Sequence, residues 1–251
     1  MCTRTARALL AATVMVAAAG SLALTGALTA SASPAGSASP VIKTVIDTNF
    51  AGYVTTGPWR FRSVAAAVTI TQCRKAKNQN ASARIALASN TLNQAAHVDL
   101  FCGGGRGSVR FGTATHAEGV LRLAPRVGDE LKISVARNPA ACLDRFSATN
   151  TRTHRTKTVT ARTRCQVVYR HAELGATLVD VSGTWKPPAK NIRLWKLENT
   201  ASASYNGAHG AICGPWPAER HLAAPVITVR MVPSGLDDHC RDFSVLLKGR
   251  G

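Results

Sequence analysis

Few residues of this chain stand in a spacing that performs chemistry by itself. The glycine run Gly103-Gly104-Gly105-Arg106-Gly107 could offer backbone N–H groups to an anion, but no strand-to-helix pattern follows it, and a mobile hairpin loop is its better reading. Residues 151–164, TRTHRTKTVTARTR, set Arg152, Arg155, Lys157 and Arg162 among threonines at strand spacing, which predicts a hairpin with an exposed cationic face. Such charge either guards a sheet edge against aggregation or receives a polyanion. Several other chemistries have no basis in the sequence. There is no G-x-S-x-G elbow, no H-E-x-x-H pair and no G-x-x-x-x-G-K-[ST] loop. The 7 histidines are scattered, so no Ser/His/Asp triad is singled out.

The elements available to position functional groups are strands. Residues 63–71, 132–135, 165–169, 191–197 and 226–232 are short, β-branched and often alternating, and Gly, Pro and Asn clusters separate them. Long amphipathic helical patterns are absent after the first residues, and no 20-to-50-residue period repeats. An all-β sandwich or barrel follows, rather than an α/β enzyme.

Residues 1–32 read as a secretory signal peptide. Arg4 and Arg7 precede an apolar run over 8–28, and Ala30-Ser31-Ala32 supplies a cleavage site. Gly20, Ser21, Thr25 and Gly26 interrupt the run, which favours cleavage over a retained anchor, and no later stretch approaches spanning length. Residues 33–40 are expected to be a disordered leader and 41–251 a single domain of a secreted protein, with no transmembrane segment after signal removal. In that oxidising compartment Cys73, Cys102, Cys142, Cys165, Cys213 and Cys240 form an even set, which predicts at least two disulfides. Connectivity stays open, with Cys142–Cys165 preferred because the strands between them could fold back as a hairpin. No C-x-x-C or Cys/His spacing suggests zinc.

The formal charge of +18 favours acidic partners such as a cell-envelope polymer, nucleic acid or membrane surface, or else keeps a solvated surface soluble. Aromatic residues make up 5% of the chain and do not interleave with the basic run, which argues against base-stacking recognition of nucleic acid. An anionic cell-envelope polymer is therefore the polyanion expected, and a monomer is the expected state.

Segments spread along most of the chain resemble the glutamic peptidases, or eqolisins. Asn49-Phe50-Ala51-Gly52-Tyr53 is similar to their Asn-Trp-Ala-Gly-Tyr segment, and Val127-Gly128-Asp129 to their Pro-Gly-Asp turn. Residues 146–160 look like their Thr-rich hairpin, and Ala172-Glu173 like the start of their Ala-Glu-Trp-Ile segment. Thr91-Leu92-Asn93-Gln94 matches the context of their catalytic glutamine, and residues 191–207 and 227–245 resemble their closing strands. The resemblance implies a lectin-like (concanavalin-like) sandwich of two packed antiparallel sheets and a secreted endopeptidase acting on polypeptides without metal or organic cofactor.

By that resemblance Gln94 and Glu173 are the catalytic dyad. A glutamate can take a proton from the attacking water and return it to the leaving amine, while a glutamine amide donates to the developing oxyanion. The chain departs from the family where Arg84-Ile85-Ala86-Leu87-Ala88 replaces a Trp-Val-Gly-Ile-Asp-like strand, where Ala114-Thr115-His116-Ala117-Glu118 replaces an aromatic-rich one, and at Leu174, where the family has Trp. Arg164, Arg170 and His171 lie close to Glu173 in sequence, which predicts a carboxyl held toward its ionised form. The alternative function is a non-catalytic β-sandwich module that binds anionic extracellular polymers through residues 151–164.

Overall fold

The computed structural model describes residues 42–55, 57–58, 60–72, 81–90, 95–103, 106–113, 116–178, 192–198, 203–205, 208–210, 217–224, 230–236 and 242–248. For 103, 116–118, 192, 194–198, 203–205 and 208–210 it describes the backbone alone. The signal and leader segments, Gln94, Cys73, Cys213 and Cys240 lie outside the described residues.

Among the described residues there are strands and no helix, hence no helix long and apolar enough to cross a membrane. The first are β1 (Lys43–Asp47), β2 (Phe50–Thr55), β3 (Ser63–Ile70), β4 (Ala81–Ala88), β5 (Ala95–Gly103) and β6 (Arg106–Thr113). There follow β7 (His116–Leu121), β8 (Glu130–Asn138), β9 (Leu143–Asn150), β10 (Arg155–Arg162), β11 (His171–Leu178) and β12 (Ile192–Glu198). The last are β13 (Ala203–Tyr205), β14 (Ala208–Gly210), β15 (Ala218–Ala223), β16 (Met231–Pro233) and β17 (Phe243–Leu247).

Two sheets pack face to face. The front sheet runs β1, β15, β2, β11, β4, β5, β6, β7, and only its β1–β15 pair is parallel. The back sheet runs β10, β9, β8, β3, β12, β17, β16, with the β13–β14 hairpin against β3. A bridge from Met231 to Ala223 stitches the sheets together. Alternation makes the core: Leu131, Ile133 and Val135 of β8 are buried beneath Ile85 and Leu87 of β4 and Leu174 of β11, while Lys132 points outward. Aromatic pairs clamp the layers, Tyr53 on Phe243 with ring centroids 4.9 Å apart and Phe111 on Phe146 at 5.1 Å.

Of the strands expected from the sequence, those at 63–71, 132–135 and 191–197 are present and that at 226–232 lies largely outside the described residues, but residues 165–169 are turn and coil, and β11 begins only at His171. Val167 N–H closes a turn onto Arg164 O, and Phe61 N–H takes Tyr169 O, so local constraints override the β-branched composition. Residues 151–164 are likewise the turn and second strand of a hairpin whose first strand is β9, not a hairpin in themselves. That β9–β10 hairpin brings the Cα atoms of Cys142 and Cys165 to 4.6 Å, and the two are disulfide-bonded as expected. Closing a loop of this length stabilises by about 3 kcal/mol. Cys102 is disulfide-bonded as well, which bears out at least two bridges.

The turn before β8 has a structural role. Gly128 adopts φ 87°, a left-handed conformation open to glycine, and donates to Ile70 O at 2.8 Å. Asp129 follows it into the interior and accepts bonds from Arg126 N–H, the Asn150 amide and the Arg152 guanidinium. One turn is thereby tied to the last residue of β9 and to the β9–β10 connection.

Candidate active site

Cross-strand register lays out the outer face of the front sheet in rows. Glu219, Val54, Glu173, Ala86 and His97 face one another across β15, β2, β11, β4 and β5. The next row on the same face is His221, Gly52, Gly175, Arg84 and Asp99, and beyond it Phe50, Thr177 and Ser82. Bulk in the outer rows flanks the paired glycines of the middle row, and a cleft of about 570 Å³ opens over this face. Glu173 lines it, on a strand paired on both sides by β2 and β4.

The glycines are there because nothing larger fits. A Cβ on Gly175 would lie 2.3 Å from Ala51 O, and one on Gly52 would lie 2.2 Å from Leu174 O; the Phe50 ring sits over both. At the start of β11, Ala172 N–H donates to Thr55 Oγ1 at 2.7 Å and His171 Nδ1 lies 2.9 Å from Thr55 O, which fixes the strand two residues before Glu173.

Glu173 is walled by protein but keeps 23% of its side chain open to the cleft. Its carboxylate lies 3.6 Å from Arg84 Nε, an ion pair without a close hydrogen bond. Arg84 is shared: its Nη1 is 3.8 Å from Asp99, which is itself 3.5 Å from His97 Nε2. At the other end Asp47 accepts from the N–H groups of Asn49 and Phe50 and lies 3.2 Å from His221 Nδ1. Ser82 Oγ and Thr177 Oγ1 are buried polar atoms with no hydrogen bond among the described residues, both on this face, while His221 Nε2 lies 3.5 Å from Glu219 Oε2. Such unmet capacity is concentrated where a ligand would supply partners.

Burial pushes the Glu173 carboxyl above its ordinary range, with the Arg84 charge, and less strongly His171, pulling against it. The sequence-based expectation of an acid shift is thus reversed. Arg170 donates instead to Pro58 O and the Arg164 side chain is exposed, so of the three sequence neighbours only His171 acts on Glu173. The charge that matters most comes from another strand. Asp47 is also partly desolvated, but His221 and two backbone N–H groups outweigh this and hold it below the usual carboxylate range.

Of the two residues expected to react, Glu173 lies in the cleft and Gln94 lies outside the described residues; Asn90 and Ala95, on either side of 91–94, both line the cleft. Leu174 is fully buried in the core, so its difference from the family's Trp changes packing between the sheets rather than the cleft surface. Arg84, by contrast, brings a cation beside Glu173. Asp47, Asp99 and His221 were not singled out in the sequence; Asp47-Thr48-Asn49 carries an Asx-turn signal, whereas nothing local marks His221. Among the described residues no group of three or more His, Cys, Asp or Glu could hold a metal ion.

No protein-family model matches the chain, and no curated protein matches it in sequence. Solved structures do. Scytalido-glutamic peptidase bound to a transition state analog inhibitor superposes with TM-score 0.63 at 10% identity, covering 79% of this chain and 98% of that one. SCP-B, a member of the eqolisin family in complex with the tripeptide Ala-Ile-His, gives TM-score 0.60 at 10% identity over 80% of this chain and 98% of its own. At that identity the likeness speaks for architecture, and the architecture this chain shares is the β-sandwich of the glutamic peptidases, the eqolisins.

Proposed function

We propose that this protein is a secreted, monomeric glutamic endopeptidase, with residues 1–32 removed on export, that hydrolyses polypeptides with Glu173 and Gln94. The observation that carries this reading is a desolvated glutamate, with a raised pKa, lining a cleft on a fold shared with glutamic peptidases. In the reaction ionised Glu173 takes a proton from a water whose oxygen attacks the scissile carbonyl carbon. The Gln94 amide donates to the oxyanion as it forms. Glu173 then delivers the proton to the amine nitrogen, and the C–N bond breaks.

A raised pKa suits both halves of that cycle, since a carboxyl of higher proton affinity is the stronger base when ionised and is still protonated when the amine must leave. Arg84 limits the rise and so preserves an ionised fraction, while Asp99 holds Arg84 in place. Asn90 and Ala95, the described residues on either side of 91–94 in sequence, both line the cleft, and this supports assigning the oxyanion to the Gln94 amide.

The test is incubation of wild type, Glu173→Gln and Gln94→Ala with an unfolded protein substrate from about pH 2 to pH 8. Cleavage by wild type alone, or with only a trace in Gln94→Ala, supports the dyad. Cleavage that persists undiminished in Glu173→Gln removes it.

A further inference from the structure

A second cavity of about 570 Å³ is lined by Arg60, Arg62, Arg137 and Arg170, and among the described residues no acidic side chain lines it. Backbone hydrogen bonds assemble it from three parts of the chain. Arg137 N–H takes Arg62 O at 2.7 Å, Phe61 N–H takes Tyr169 O at 2.9 Å, and Arg170 Nη1 takes Pro58 O at 2.8 Å. Segments that carry positive charge are thus pinned side by side against their mutual repulsion.

The four guanidiniums differ in how far they are committed. Arg137 is buried, with 3% of its side chain exposed, and lies 3.3 Å from Asp144; it also donates to Arg164 O, yet its Nε has no hydrogen bond among the described residues. Among the described residues Asp144 is the only carboxylate paired with any of them, and it is shared with the Tyr169 hydroxyl at 2.7 Å. Arg170 spends one nitrogen on Pro58. Arg60 and Arg62 are exposed and make no ion pair or side-chain hydrogen bond among the described residues. Three uncompensated cations around one concavity leave a strong anion field with several unused donor forks.

From this cavity we infer a binding site for a phosphate or sulfate group, free or borne on a polymer. A tetrahedral oxyanion offers more than two acceptor oxygens and up to two charges, which suits several guanidinium forks better than a single carboxylate does. The exposed cations of β10, Arg155, Lys157 and Arg162, stand instead on an edge strand and do not line this cavity. A polyanion would therefore be held at the arginine cavity, with the β10 charges adding only a diffuse field.

Isothermal titration of the full-length mature protein with inorganic phosphate and with tripolyphosphate, at low and moderate salt, tests this. Arg60→Ser/Arg62→Ser should weaken binding by at least about tenfold, the loss of charge-assisted hydrogen bonds. Arg155→Ser/Lys157→Ser should weaken it less than about twofold. Arg60→Lys/Arg62→Lys, which keeps charge but not the fork, should fall between wild type and the serine variant, and unchanged thermal melts will show that all variants fold. Binding of inorganic phosphate identifies a free-ion site, and binding of tripolyphosphate alone identifies a polymer-borne group. The inference is overturned if neither anion binds at millimolar concentration, if Arg60→Ser/Arg62→Ser binds as wild type does, or if the β10 variant loses as much.

Discussion

Glu173 and Asp129 are both enclosed carboxylates facing an arginine, and they are driven in opposite directions. Asp129 receives hydrogen bonds from a backbone N–H, an asparagine amide and two nitrogens of Arg152, and these hold its carboxyl far below the ordinary range. Glu173 meets Arg84 at 3.6 Å, accepts no hydrogen bond from another described residue, and burial pushes its carboxyl up. The difference lies in hydrogen-bond supply rather than in charge. A carboxylate saturated with donors is locked in its ionised form and becomes a structural tie; one given a cation but few donors keeps a proton within reach and stays available for chemistry.

The sharpest break between the two is expected in turnover. Glu173→Gln should lower peptide cleavage by about 10²–10⁴-fold, the usual worth of a general acid–base group. Gln94→Ala should cost about 10²–10³-fold, and the double variant should be little worse than the poorer single one, because both serve one transition state. Asp129→Asn should leave turnover per folded molecule unchanged; a parallel kcat loss there would erase the distinction.

Stability should reverse the ranking. Asp129→Asn strands the donors of Arg126, Asn150 and Arg152 and should cost about 2–3 kcal/mol in denaturant unfolding. A smaller but comparable loss, about 1–3 kcal/mol, is expected for Gly175→Ala, whose added Cβ meets the Ala51 carbonyl and pushes β2 from β11 beneath the cleft.

pH dependence separates the pair more finely. The folded protein holds the Glu173 proton more tightly than the unfolded chain, so this residue's contribution is most favourable below the ordinary glutamate range and is lost as pH rises through the folded value. Glu173→Gln should therefore raise the melting temperature at neutral pH, with the gain vanishing in acid. Asp129 behaves oppositely: its stabilisation is complete above the ordinary aspartate range and is lost as pH falls below it, so the Asp129→Asn penalty should shrink in strong acid. Matching pH trends for the two variants would contradict the assignment of roles. The smallest effect, within about 0.5 kcal/mol, is expected for Lys157→Ser on the exposed edge strand. Arg152 belongs with Asp129 rather than with that strand's free charges.

Sequence pattern alone determined the all-β class and the strands at β3, β8 and β12, since alternation and β-branching are written in neighbouring residues; it left cysteine pairing open with Cys142–Cys165 preferred, and a resembling motif drew attention to Glu173. It misread residues 165–169, where a turn and a disulfide outweigh propensity, and of the cations it placed around Glu173 only His171 acts on the carboxyl. Arg84 and His221 reach the cleft, and Asp99 reaches Arg84, through register across β4, β15 and β5, so no local spacing reports them. The arginine cavity is likewise set by hydrogen bonds joining residues near 60, 137 and 170. Tertiary structure decided which cation faces which carboxylate, and with it the direction of each pKa, because desolvation and Coulomb energy depend on distances through space that strand pairing fixes and chain order does not.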